Sequence, residues 1–139
     1  MPLVQLIYVS SARQELTDAE LDAILESSVR HNTPQQVTGL LLYSQGSFMQ
    51  VLEGETAAVE EAYGRICEDS RHHHIIEIMR EPIDEREFGR WAMGFRRLCR
   101  ENAAEHEAFL PLFVKGFEAG ALQAKPGLAL ELLHHFALR

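Results

Sequence analysis

The sequence predicts an α/β (α+β) fold: a ferredoxin-like βαββαβ sandwich with a fifth strand, and two C-terminal helices covering the other sheet face. Three observations predict it. Strand-like and helix-like runs follow one another as β-α-β-β-α-β up to Ile83. The two middle strands are separated only by Ser44-Gln45-Gly46, a turn that makes them an antiparallel hairpin. Beyond residue 100 come two apolar stripes at helical spacing, which can cover a second sheet face. The 139 residues suit one domain and can bury about two thirds of the unfolded surface.

Each element has its own signal. Leu3–Ser10 is short, β-rich and apolar on both faces, which predicts a central strand covered on both sides. Thr17 and Glu20 form a capping box, and Leu21, Ile24, Leu25 and Val29 continue at helical spacing. Pro34 is expected to end that helix at Thr33. Val37–Tyr43 and Ser47–Glu53 are the hairpin strands, with Phe48, Gln50 and Leu52 on one face and Gly54 as the break. Thr56–Asp69 is a helix with Val59, Tyr63 and Ile66 as its inner stripe. Ile75–Ile83 is the fourth strand, Asp84–Glu87 a capped helical turn, and Trp91–Leu98 the fifth strand. In the tail, Asn102 with Glu105 starts a helix carrying Phe109, Leu110, Phe113 and Phe117, ended by Gly120. Pro126 opens a last helix with Leu128, Leu132, Leu133 and Phe136.

Composition narrows the function. Thirteen basic against 21 acidic residues give a net charge of −8, which disfavours a nucleic-acid backbone as partner. No apolar run is long enough to cross a bilayer, and the N-terminus lacks the pattern of a secretory signal. A soluble, cytoplasmic protein without a membrane partner is therefore expected, with Cys67 and Cys99 as buried thiols.

The chain carries no GxGxxG, Walker loop, CxxC or GxSxG. Three successive histidines, His72-His73-His74, cannot all face one ion from a regular strand or helix, so a solvated loop is the better reading and no metal is expected. More telling are polar residues at positions that alternation buries. Gln50 lies between Phe48 and Leu52, and Tyr8 shares a face with Leu6. A buried amide left unsatisfied costs of order 1–3 kcal/mol. Either a backbone neighbour satisfies it, or Tyr8 and Gln50 point at a ligand. Asn32 and Arg65 can serve as a helix cap and a solvated cation, or can offer that ligand an amide and a guanidinium. Ile24 and Ile66 are core residues, or clamp the faces of a flat ring.

Several stretches together resemble the BLUF family, blue-light sensors that use FAD. They are Leu6-Ile7-Tyr8-Val9-Ser10, His31-Asn32, Val37-Thr38-Gly39-Leu40-Leu41, Phe48 to Gly54, Arg65-Ile66, Asp69, Arg71-His72-His73 and Trp91-Ala92-Met93. Ala92 departs from the serine common in the family, which bears on how Trp91 or Met93 is held.

The resemblance implies residue roles. Tyr8 and Gln50 are the photochemical pair. Tyr8 donates an electron and a proton, and Gln50, between Tyr8 and the flavin, exchanges donor for acceptor by rotation or tautomerisation. Cofactor-binding positions are Tyr8, Ile24, Asn32, Gln50, Arg65, Ile66, Asp69 and His73, with His31 behind Asn32. The cofactor is FAD, with FMN and riboflavin as alternatives. Trp91 and Met93 relay the signal. Residues 1–98 form the sensor domain and 99–139 a helical extension packed on the sheet. That extension is too short for a catalytic effector, so the expected protein is a sensor without catalysis of its own, acting on a protein partner or through homo-oligomer formation. The competing readings are an acylphosphatase-like hydrolase, for which the loop Ser10-Ser11-Ala12-Arg13 has an arginine but no glycines, and a flavin-free interaction scaffold.

Overall fold

The computed structural model describes residues 2–14, 16–44, 46–90, 93–97 and 119–137 (for 96, 97, 119–121, 136 and 137, the backbone alone). In chain order the elements are β1 (Leu3–Ala12), α1 (Asp18–Gln35), β2 (Thr38–Ser44), β3 (Ser47–Glu55), α2 (Thr56–Glu68), β4 (His72–Ile83), β5 (Gly94–Arg97), α3 (Ala119–Ala124) and α4 (Pro126–Ala137). One sheet runs β4-β1-β3-β2-β5. Its first four strands are antiparallel to their neighbours, and β5 joins β2 in parallel.

Alternation sorts the core into two layers. Val4, Leu6, Tyr8, Leu41, Tyr43, Phe48 and Leu52 face α1 and α2, where they meet Leu21, Val59 and Ala62. Ile7, Val9, Leu40, Leu42, Met49 and Val51 face the other way, onto Leu122 of α3 and Ala129, Leu132 and Leu133 of α4. The central strand is thus covered on both sides, as its apolar faces require. Gly39 sits where a side chain has no room: a Cβ there would lie 1.9 Å from the Val51 carbonyl oxygen and 3.4 Å from the Met93 methyl carbon. Among the described residues no helix is long and apolar enough to cross a membrane.

The capping box forms as expected, with the Glu20 N–H donating to Thr17 Oγ1 and the Thr17 N–H donating to Glu20 Oε1. Other expectations need correction. α1 continues through Pro34 to Gln35. Pro34 offers no N–H to the preceding turn, but the helix closes with Gln36 in the left-handed region (φ 55°). The Gln36 N–H donates to the Thr33 carbonyl and the Val37 N–H to that of Asn32, a Schellman closure that satisfies the last turn. Gly54 does not break β3; it pairs with Val4, and its lack of a Cβ lets α1's exit approach, with the Gln36 carbonyl oxygen 3.2 Å from where a Cβ would stand.

Asp84–Glu87 form bends rather than a helical turn, because their backbone is drawn onto a buried carboxylate, described below. Ser10, Ser11 and Ala12 belong to β1, not to a loop, and Arg13 Nε donates to the Ser70 carbonyl at 2.7 Å. Cys67 is exposed, since it lies on the outer side of α2. Gly120 lies inside α3 instead of ending a helix. The expected helix over 102–118, Cys99 and Trp91 lie outside the described residues, and the fifth strand is described from Gly94.

Candidate functional site

A cavity of about 470 Å³ opens between α1 and α2 above the sheet face they cover. That volume is in the range of small-molecule and cofactor sites. The sheet supplies its floor. Tyr8 and Gln50 are direct cross-strand partners on β1 and β3, and Leu41 on β2 is opposite Gln50. Cross-strand partners share a face, so all three point at the cavity.

The polar chain across this floor is continuous. Tyr8 Oη donates to Gln50 Oε1 at 2.5 Å, and Gln50 Nε2 donates to Met93 Sδ at 3.1 Å. All three residues are buried. The Met93 thioether, which only accepts, selects this amide orientation, and the phenol, able to donate or accept, donates to the amide oxygen it meets. Burial pushes the Tyr8 phenol well above its ordinary range, and the nearby Tyr63 adds to the effect, so Tyr8 is a neutral donor. Tyr63 packs against it with ring centroids 5.6 Å apart, and burial pushes the Tyr63 phenol up to about 12.

The helices supply the walls: Ile24, His31 and Asn32 from α1, Ala62, Arg65 and Ile66 from α2. Asn32 is buried in the last turn of α1. Arg65 lies in the last turn of α2 and has no hydrogen-bond or ion-pair partner among the described residues. His31 Nδ1 lies 2.8 Å from the Ser27 carbonyl; since a carbonyl only accepts, that nitrogen carries the proton.

The mouth is built by the α2–β4 connection. Arg71 donates to Asp69 through its backbone N–H and Nε, each 2.9 Å from Oδ1. The guanidinium holds the Asp69 carboxyl below the usual carboxylate range. His72 Nε2 lies 2.6 Å from the Ile66 carbonyl, so Nε2 bears a proton, and Nδ1 is hydrogen-bonded with Ser10 Oγ at 2.7 Å. This ties β1 to the end of α2 beside Ile66.

Seven of the eight candidate binding residues line the cavity: Tyr8, Ile24, Asn32, Gln50, Arg65, Ile66 and Asp69. His73 does not line it. It packs against His74 instead, while His72 lines the cavity and is nearly inaccessible. The cause is a β-bulge. Ser11 pairs with His73 but Val9 with Ile76, so two β4 residues stand opposite Ser10, and His74 takes a left-handed φ of 53°. The extra residue reverses the alternation, placing His72 on the cavity side and overturning its reading as a solvated loop. Among the described residues no three His, Cys, Asp or Glu side chains converge as metal ligands.

Sequence reasoning also missed Phe48, Leu41, Ala62 and Arg71 as lining residues. Phe48 was findable, since it shares Gln50's face. Arg71 stood out only within the resembling stretch Arg71-His72-His73 and was given no role, because its placement depends on the Asp69 turn.

The family model for "Sensors of blue-light using FAD" matches residues 3–94. The chain belongs to the BLUF family. Among its relatives, subunit alpha of the photoactivated adenylate cyclase of Euglena gracilis is 37% identical over 87 residues, 63% of this chain and 8% of that protein. The blue light- and temperature-regulated antirepressor BluF of Escherichia coli is 34% identical over 91 residues, 66% of this chain and 23% of that one. The aligned BLUF region thus spans less than a quarter of either relative. Among solved structures, BlsA in its photo-activated state superposes with a TM-score of 0.79 at 30% identity, covering 94% of each chain. The dark state of BlrB, a BLUF protein, gives 0.71 at 30% identity over 94% of this chain and 97% of that one. The structural likeness therefore covers more of the chain than the matched residues 3–94.

Proposed function

We propose that this BLUF protein is a blue-light photosensor that holds FAD in the cavity between α1 and α2. The observation that carries the reading is the buried chain Tyr8–Gln50–Met93 on the cavity floor. The cavity suits a flavin ring by its chemistry. Asn32 offers an amide, and Arg65 a guanidinium that has no partner among the described residues, for a ring carbonyl. Ile24 and Ile66 offer apolar side chains for the ring faces. Asp69 and His72, which also line the cavity, would lie toward the ribityl chain and phosphates. When bound, flavin supplies the blue absorption and, once excited, an electron acceptor.

The protein side of the mechanism follows from the residues. With flavin bound, Tyr8 would give up an electron to the excited ring and its Oη proton to Gln50 Oε1, to which it is already hydrogen-bonded, and the phenol would recover both as Gln50 settles in its new arrangement. Gln50 then rotates or tautomerises, so its amide presents the opposite polarity to Tyr8, Met93 and the ring edge. The Met93 contact is lost or remade, and the strand that follows carries the change toward the C-terminal helices. Trp91 belongs to the same relay. Residues 1–98 are the sensor and 99–139 the extension that reads it. The output is contact with a protein partner or a second copy of the chain, consistent with relatives whose names join light sensing to a cyclase and an antirepressor.

The deciding measurement is absorption of the FAD-loaded protein before and after blue light. Flavin bands with a red shift that reverts in the dark are expected, and a photostable spectrum would refute the reading. Arg65→Ala and Asn32→Ala should weaken FAD binding; unchanged affinity in both would displace the ring from this cavity.

A further inference from the structure

Glu53 is fully buried on the sheet face opposite Gln50, three positions further along β3. Its carboxylate accepts from Gln5 Nε2 at 2.7 Å and from the backbone N–H groups of Glu87 at 3.1 Å and Phe88 at 2.6 Å. Arg86 Nη1 adds bonds to the Glu53 carbonyl at 3.0 Å and to Thr38 Oγ1 at 2.7 Å. The β4–β5 connection is thereby bolted to β3 at residues 86–88. The same residues also grip α4, Phe88 from within the core layer that holds Leu132 and Leu133. Glu87 Oε2 lies 2.7 Å from His134 Nε2, and the Phe88 ring stacks on the His134 ring with centroids 4.8 Å apart. Met93 follows Phe88 by only five positions. None of these contacts serves the flavin cavity.

We propose that residues 86–88 are a latch coupling the Met93 segment to the docking of α4, with Glu53 as its fixed post and His134 as its moving jaw. The proposal takes the source of the motion from the photosensor reading; the latch itself stands on these contacts. The two sides differ in strength for a physical reason. A buried carboxyl group cannot release a donor without leaving an acceptor unsatisfied. The Glu87–His134 pair is partly exposed, at 38% and 45%, and gives way easily. A pull on the connection therefore breaks the Glu87–His134 contact first, and α4, whose Leu132 and Leu133 share a core layer with the buried Phe88, registers it.

The test is amide hydrogen exchange, followed by NMR, of the FAD-loaded full chain in the dark and under blue light. Both partners of the jaw are partly exposed, so His134→Ala should leave the fold intact. In the dark, His134→Ala should speed exchange of the Glu87 and Phe88 amides about three- to tenfold, the scale of losing one exposed pair and one ring stack. His134→Gln, whose amide can still donate to Glu87, should restore part of the protection. Under light, the wild type should exchange faster in residues 126–137, and His134→Ala should keep less than half of that light-minus-dark difference. Unaltered Glu87 and Phe88 exchange in His134→Ala, or a full light response in that variant, would overturn the latch. Absence of a reversible absorption shift in the wild type would overturn the photosensor reading, and the dark comparison would still decide the latch.

Discussion

The Gln50 amide nitrogen lies 3.1 Å from the sulfur of Met93, a contact between residues 43 positions apart. With the Tyr8 phenol on its other end, the amide has one orientation that satisfies both neighbours. Met93→Leu keeps the volume but removes the acceptor. A sulfur acceptor is worth roughly 0.5–1 kcal/mol, so the dark preference should weaken about two- to fivefold. The dark absorption of the FAD-loaded variant should move toward the illuminated position. A wild-type dark spectrum would mean that Met93 does not select the amide orientation.

Tyr8→Phe removes the donor that faces Gln50 Oε1. A buried acceptor without a partner costs about 1–3 kcal/mol. The variant should lose that much in urea unfolding of the cofactor-free protein. It should also retain FAD while losing the reversible red shift. A normal shift would exclude Tyr8 as the electron donor.

Asp69 gives a pH signature. Arg71 holds its folded-state carboxyl below the ordinary value, chiefly by hydrogen bonding. A depressed carboxyl contributes stability that is full above the unfolded value of about 3.9 and fades as pH falls through the folded one. Both side chains are partly exposed, so the contribution is under about 1 kcal/mol. Urea unfolding should find Arg71→Gln less stable than wild type by up to that amount at pH 7, with the gap closing below about pH 4. A gap that persisted undiminished in acid would assign Arg71 another role.

Leu132 of α4 is fully buried against the sheet. Leu132→Ala should cost about 2–5 kcal/mol, seen as a clear fall in Tm. FAD affinity should hardly change, because α4 packs on the face opposite the cavity. A large loss of affinity would mean that the two faces are coupled in the dark.

Local rules made most of the fold legible. Strand alternation along Leu3–Ser10 and Phe48–Leu52 set which side chains share a face, and the Thr17–Glu20 pair marked where α1 begins. Gln50 and Tyr8 stood out because period-2 patterning put polar groups where burial was required, and seven of the eight named cavity residues followed from such positions with the family resemblance. What stayed hidden depended on contacts distant in sequence. His72 faces the cavity only because a bulge at His74, forced by pairing with β1, reverses the alternation. Glu53 looks like an ordinary strand-end carboxylate until Gln5, Glu87 and Phe88 converge on it. Pro34 reads as a helix stop until the Schellman closure carries α1 past it. Periodicity along one strand or helix is a local property of the backbone, so the chain declares it residue by residue. A bulge, a buried anchor and a helix exit each answer to partners that only the assembled sheet brings within hydrogen-bond reach.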